Sequence, residues 1–296
     1  MQAESAHVPH LTRCPLRGVE FAVWSFGDAA KPPLVVLHGW GDTGASFQFM
    51  APCLSEHFHL IAPDLRGFGQ SSAPPGDYWF PDYLADLDAL IQSFCGDRQC
   101  DLVGHSMGGN IAGLYAGIRP GRIRRLALLE GFGLDATRPD AAPSRYRAWL
   151  DAQQREPRLR EFPSRAALRE HLRRLAPFAS DETLEALCPL WARATEEGRW
   201  RLRMDPRHRR PNPVLYRRAE AVACWQEIRA PTLLVLGDRS DWPRHFVNLD
   251  PVAAFTMILP AARVETMTDA GHMLHWDQPA RLGHLLRDFF LNPEIV

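Results

Sequence analysis

The chain lacks the features that mark several protein classes. Its six cysteines, Cys14, Cys53, Cys95, Cys100, Cys188 and Cys224, form no CxxC pair, so neither a zinc knuckle nor a redox dithiol is expected and reduced thiols are. No stretch approaches the roughly 18 apolar residues of a membrane span. The N-terminal segment MQAESAHVPHLTRCPLRG is polar and interrupted by proline, without the roughly 7–15 apolar residues of a secretory leader. A cytoplasmic location is the expectation. The formal charge of −1 supplies no global attraction to nucleic acid or anionic membrane. HExxH, a carboxylate–histidine metal cluster, a dinucleotide GxGxxG and a Walker loop are also missing, so no cofactor and no metal are expected.

What remains is a chain of 296 residues, 46% hydrophobic, long enough for one large core or a core with an insertion. Leu34–Leu37, His59–Ala62, Asp101–Val103 and Arg125–Leu129 are short apolar runs with almost no alternation. That pattern predicts strands buried on both faces of a mostly parallel sheet, flanked by crossover helices. Strand character returns at Pro231–Gly237 and Ala262–Met267, ahead of a last helix through Arg281–Phe290. Between them, helical spacing of Arg, Glu, Leu and Trp predicts an inserted helical cap. The expected organisation is an α/β core over 1–133 and 224–296 with a cap over 134–223.

The chemistry concentrates at Gly104-His-Ser-Met-Gly108, a G-x-S-x-G sequence directly after an apolar run and directly before a helical stretch, Asn110–Ile118. A serine at such a strand-to-helix turn is held in a strained conformation at a helix N-terminus, where negative charge is favoured. The hydroxyl of Ser106 needs a base within hydrogen-bond reach and an acid to orient that base. His272, in Asp269-Ala-Gly-His272 beyond the last strand, is the expected base. His275 is the nearest competitor, placed at a helix start. For the acid, Asp241 is preferred because it lies farther out on the loop Leu236-Gly-Asp-Arg-Ser-Asp241. Glu130, ending the strand before the cap, and Asp238, suited to capping the turn, are the alternatives. The backbone amides of Trp40 and Met107 are the expected oxyanion donors. Trp40, His105, Trp149 and Trp191 are candidate substrate contacts.

The set His38-Gly-Trp-Gly41, Asp64-Leu-Arg-Gly-Phe-Gly-Gln-Ser71, Gly104-His-Ser-Met-Gly-Gly109, Pro231–Gly237 and Gly271-His272 resembles the α/β-hydrolase superfamily over about residues 18–291. Trp200-Arg-Leu-Arg-Met-Asp-Pro-Arg207 and Leu37-His-Gly-Trp-Gly-Asp-Thr resemble its serine hydrolase-like branch. The resemblance implies the α/β-hydrolase fold and a structural turn at Asp64, Arg66 and Gly67. It also exposes a departure: the usual acid position, three residues after the strand-ending glycine, holds Ser240. Serine at 106, where dehalogenases and epoxide hydrolases of this fold carry aspartate, implies an acyl-enzyme. The expected activity is hydrolysis of a carboxylic ester or thioester on a small-molecule acyl substrate, by a monomer or homodimer. Hydrolytic C–C cleavage or a lyase reaction on the same residues is the alternative, and a ligand-binding protein on a degenerate hydrolase fold the third reading. The basic run Met204–Pro213 is either a guide for an anionic substrate or a solvated connection.

Overall fold

A computed structural model describes residues 9–246 and 250–292, so the first eight residues of the N-terminal segment lie outside the described part. The chain enters through an antiparallel hairpin, β1 (His10–Leu16) and β2 (Val19–Phe26), then β3 (Pro33–Leu37), β4 (His59–Pro63), helix α1 (Phe80–Cys95), β5 (Cys100–His105), α2 (Met107–Ile118) and β6 (Ile123–Leu129). The insertion holds α3 (Ala142–Gln153), β7 (Glu161–Phe162), α4 (Arg165–Leu175), α5 (Asp181–Trp191), β8 (Ala192–Ala194) and β9 (Trp200–Leu202). The core resumes with α6 (Arg218–Gln226), β10 (Thr232–Gly237), α7 (Pro251–Ile258), β11 (Arg263–Met267), α8 (Leu274–Asp277) and α9 (Pro279–Leu291).

Eight strands form one sheet in the order β1-β2-β4-β3-β5-β6-β10-β11. From β4 to β11 every pairing is parallel. The central strands are apolar without alternation because both faces are covered. On β3, Val35 and Leu37 join the layer under α1, α2 and α6, whereas Leu34 and Val36 join the layer under α9. Leu282, Leu286, Phe289 and Phe290 of α9 are buried there, each stabilising the fold by about 1.5–3 kcal/mol. On the other face α6 crosses α2 where side chains vanish: a Cβ on Gly117 would lie 1.8 Å from the carbonyl oxygen of Cys224. Since α6 begins at Arg218, packing against the core resumes inside the stretch 134–223 expected to be cap.

The segment inserted between β6 and α6 is not purely helical. β7, β9 and β8 form a three-stranded antiparallel sheet whose Phe162, Ala192, Trp200 and Leu202 face a separate small core with Leu168, Leu172, Leu184 and Leu187. Strands of two or three residues are too short for their alternation to register in sequence. The inserted segment is strapped to the main sheet by the loop after β9. His208 stacks between Phe68 and Tyr78, with ring centroids 3.8 and 3.5 Å away, and Arg207 donates to the carbonyls of Pro74, Pro75 and Gly76. Burial drives the His208 pKa down to about 3, so the stacked ring is neutral.

Candidate active site

The site begins where β5 turns into α2. Ser106 has φ +51° and ψ −113°, a region that L-residues avoid unless their surroundings enforce it. Close backbone approach enforces it here: a Cβ on Gly104 would meet Gly108 O at 2.3 Å, and one on Gly108 would meet Leu37 O at 2.4 Å. Ser106 N–H donates to Leu129 O at 2.8 Å, tying the turn to the end of β6. Its hydroxyl thus stands at the start of α2, where the helix dipole and unpaired amides favour negative charge.

His272 Nε2 lies 3.0 Å from Ser106 Oγ. The loop carrying it is fixed from several sides. Asp277 accepts from Gly271 N–H at 2.8 Å, Asp238 accepts from Ala270 N–H at 3.3 Å, and the His272 carbonyl accepts from His105 Nε2–H at 2.8 Å. Trp242 stacks on the His272 ring at 5.2 Å.

The carboxylate beside His272 Nδ1 is Glu130, at 3.3 Å, and not Asp241. Asp241 is exposed and precedes a short 3₁₀ turn over Trp242–His245. Strand order explains the difference. β10 lies directly against β6, so the residue ending β6 sits beside the loop that ends β10, and Glu130 N–H donates to Val235 O at 3.0 Å. With φ +53° Glu130 turns its fully buried side chain back toward His272. Oε1 accepts from Gly237 N–H at 2.7 Å, and Oε2 accepts from the Ser240 hydroxyl at 2.6 Å. The serine standing where an aspartate was expected is therefore a donor to a carboxylate supplied by another strand. Asp238, the other alternative, turns Oδ1 to Ala270 N–H on the loop that carries His272 rather than to His272 itself.

The remaining expected residues divide. Met107 opens α2, where amides lack intrahelical partners. Trp40, 53% exposed, and Trp149 line a cavity of about 220 Å³ together with Met107. Trp149 also donates from Nε1 to Asp77 at 3.4 Å. His105 and Trp191 do not contact this space. His105 is buried beneath the serine, its pKa well below 6.5 chiefly through burial, because the residue before the elbow still belongs to a strand covered on both faces. Trp191, 6% exposed, packs edge-on against Trp276 in the small core beneath the inserted sheet, since the inward face of α5 is consumed by that core. The reading of the sequence missed Tyr78, Trp79, Phe80 and Tyr83, which line the same cavity. Their density in Asp77-Tyr-Trp-Phe-Pro-Asp-Tyr83 was the available signal. Two arginines of the basic run are paired at the cavity wall: Arg207 with Asp205 at 2.6 Å and Arg210 with Asp77 at 2.6 Å.

Comparison with known proteins agrees with this architecture. Residues 32–279 match the family model described as alpha/beta hydrolase fold. A zebrafish (Danio rerio) serine hydrolase-like protein is 27% identical over 63% of this chain and 59% of its own length, so the chain spans about three-fifths of that relative. A thioesterase domain from the curacin biosynthetic pathway superposes with a TM-score of 0.83 at 27% identity, over 94% of this chain and 99% of the domain. A hypothetical protein of Pseudomonas aeruginosa PAO1 superposes with a TM-score of 0.82 at 28% identity, over 95% and 99% of the two chains. Among the described residues, no helix is long and apolar enough to cross a membrane.

Proposed function

This chain belongs to the alpha/beta hydrolase fold family, and from that premise we propose that it is a serine hydrolase cleaving a carboxylic ester or thioester through an acyl-enzyme on Ser106. The observation that carries the reading is the continuous hydrogen-bonded path from Ser106 Oγ through His272 to Glu130. A carboxylate only accepts, so Glu130 retains the imidazole proton on Nδ1 and leaves a lone pair on Nε2 facing the hydroxyl. Ser106 Oγ attacks the carbonyl carbon while Nε2 takes its proton. The amides of Trp40 and Met107 receive the oxyanion, an interaction of the kind worth about 3–4 kcal/mol in the transition state. Collapse of the intermediate expels the alcohol or thiol, protonated from His272. Water, deprotonated by the same nitrogen, then releases the acid and restores Ser106.

The cavity flanks the elbow through Trp40 and Met107, with neither Ser106 nor His272 in its lining, and as the space for a substrate's side group it favours compact substrates. At about 220 Å³ it is smaller than the roughly 300–1,000 Å³ typical of drug-sized ligands. Its walls include Trp40, Tyr78, Trp79, Phe80, Tyr83 and Trp149, while the two lining guanidiniums, Arg207 and Arg210, are already paired. A short or aromatic, uncharged group fits this surface better than an anion. The likeness to a thioesterase domain supports keeping thioesters beside esters.

Stopped-flow hydrolysis of p-nitrophenyl acetate tests the proposal, with acyl thioesters and a vinylogous 1,5-diketone in a parallel steady-state panel. The expected result is a p-nitrophenol burst of one equivalent per chain, abolished in Ser106→Ala. Turnover of the diketone with no ester or thioester turnover would instead establish C–C hydrolysis. Equal turnover by Ser106→Ala would reject the serine chemistry.

A further inference from the structure

Directly behind Ser106 and His272 lies a polar cluster that the proposed hydrolysis does not use. Asp42 follows β3, His105 ends β5 and His275 belongs to α8; they are 1%, 1% and 0% exposed. A ligand-type atom from each, a carboxylate oxygen and two imidazole nitrogens, lies within 4.8 Å of the others. His275 Nε2 is 2.9 Å from Asp42 Oδ2, and the two imidazole centroids are 4.5 Å apart. We propose that Asp42, His105 and His275 form a binding site for a borderline divalent transition metal, with Zn²⁺ as the reference ion.

Hydrogen-bond accounting carries the proposal. The His272 carbonyl that meets His105 Nε2 at 2.8 Å only accepts, so Nε2 holds the proton and Nδ1 is a bare lone pair. That Nδ1 is buried without a partner. His275 donates from Nε2 to Asp42, and its own Nδ1 is likewise buried and unpartnered. Asp42 Oδ2 also accepts from Ser46 Oγ at 2.9 Å, but Oδ1 has no partner. Three unmet acceptors thus belong to one buried cluster.

Two imidazoles and a carboxylate are a donor set for zinc and its neighbours, not for calcium or magnesium. The His105 Nε2–H bond to the His272 carbonyl is the outer support that metal-binding histidines commonly have, and it fixes Nδ1 as the coordinating nitrogen. Bonds of about 2.0–2.2 Å require the ligand atoms to draw together from their present spacing. Where His275 coordinates through Nε2, its single N–H moves to Nδ1 and the hydrogen bond to Asp42 is exchanged for a bond to the ion.

The test titrates Zn²⁺ into chelator-treated full-length protein by calorimetry, records the visible spectrum of the Co²⁺-loaded protein, and locates the ion by anomalous diffraction at the zinc edge. One ion per chain, a Co²⁺ spectrum of four- or five-coordinate N/O ligation and an anomalous peak between the three side chains are expected. His275→Gln and Asp42→Asn should each weaken binding by at least about 100-fold, while Ser106→Ala binds as the wild type does. If a variant fails to fold, the spectrum and the anomalous peak of the wild type still decide the matter. Absence of stoichiometric binding, a peak at His272 and Glu130, or unchanged affinity in folded His275→Gln would overturn the proposal.

Discussion

Replacing Glu130 by glutamine separates charge from shape at the centre of the site. Oε1 accepts from Gly237 N–H at 2.7 Å, and Oε2 faces Ser240 Oγ at 2.6 Å and His272 Nδ1 at 3.3 Å. The Gly237 amide is a backbone donor held in β10, so the glutamine carbonyl must face it and the NH₂ group must face His272. Donor then opposes donor. The imidazole escapes by carrying its proton on Nε2, which presents an N–H to Ser106 in place of a lone pair. Loss of tautomer control of this kind lowers kcat by about 10⁴-fold, or about 5.5 kcal/mol. Ser240 can accept from the new NH₂ group, so folding stability changes by only about 1 kcal/mol. Steady-state kcat on a p-nitrophenyl ester and thermal melting read the two effects separately. Asp241→Asn is the matched control, an exposed carboxylate with no bond to His272, and its kcat should stay within about twofold of wild type. A Glu130→Gln enzyme within about tenfold of wild type, or an equal collapse in Asp241→Asn, would refute the assignment.

Other consequences follow from burial and close packing. Trp191→Ala empties part of the small core beneath the inserted sheet and should cost about 3–5 kcal/mol of stability; an unchanged Tm with only KM raised would return Trp191 to the substrate surface. Gly108→Ala, favourable by helix propensity, forces a Cβ to within 2.4 Å of Leu37 O and should destroy the elbow, measured as loss of both kcat and soluble yield. A fully active alanine variant would contradict that geometry. His208 carries a pKa of about 3 in the fold against an ordinary value near 6.5. Below pH 6.5 the unfolded chain gains a proton that the folded chain refuses, so stability falls as pH drops from about 6.5 toward 3. His208→Phe removes that loss, and its Tm relative to wild type should rise steadily between pH 7 and pH 4; parallel Tm curves would refute the linkage.

The legible and illegible parts of the molecule separate on physical grounds. Strands covered on both faces leave continuous apolar runs, so β3, β4, β5, β6, β10 and β11 were each visible within a few residues of their bounds. Ser106 and His272 were readable because a tight turn demands Gly104 and Gly108 and because His272 follows a strand. The partner of His272 was not, since the choice between Glu130 and Asp241 depends on β6 lying beside β10 and on one positive φ at Glu130. Ser240 held the only local hint: a hydroxyl where a carboxylate was expected needs an acceptor from elsewhere. His105 looked like a site residue because it adjoins Ser106, and Trp191 because it is an aromatic of the inserted helical stretch, but the direction of a side chain on a covered strand or helix is decided by what packs against it. The cluster of Asp42, His105 and His275 draws on three distant segments and has no sequence spacing to detect.

The central claim is an acyl-accepting serine at position 106, and the mass of the protein after reaction with a fluorophosphonate tests it most directly. One adduct per chain, mapped by peptide sequencing to Ser106 and absent from Ser106→Ala, is the outcome this account predicts. An unmodified wild type, or an adduct that persists in Ser106→Ala, would contradict it.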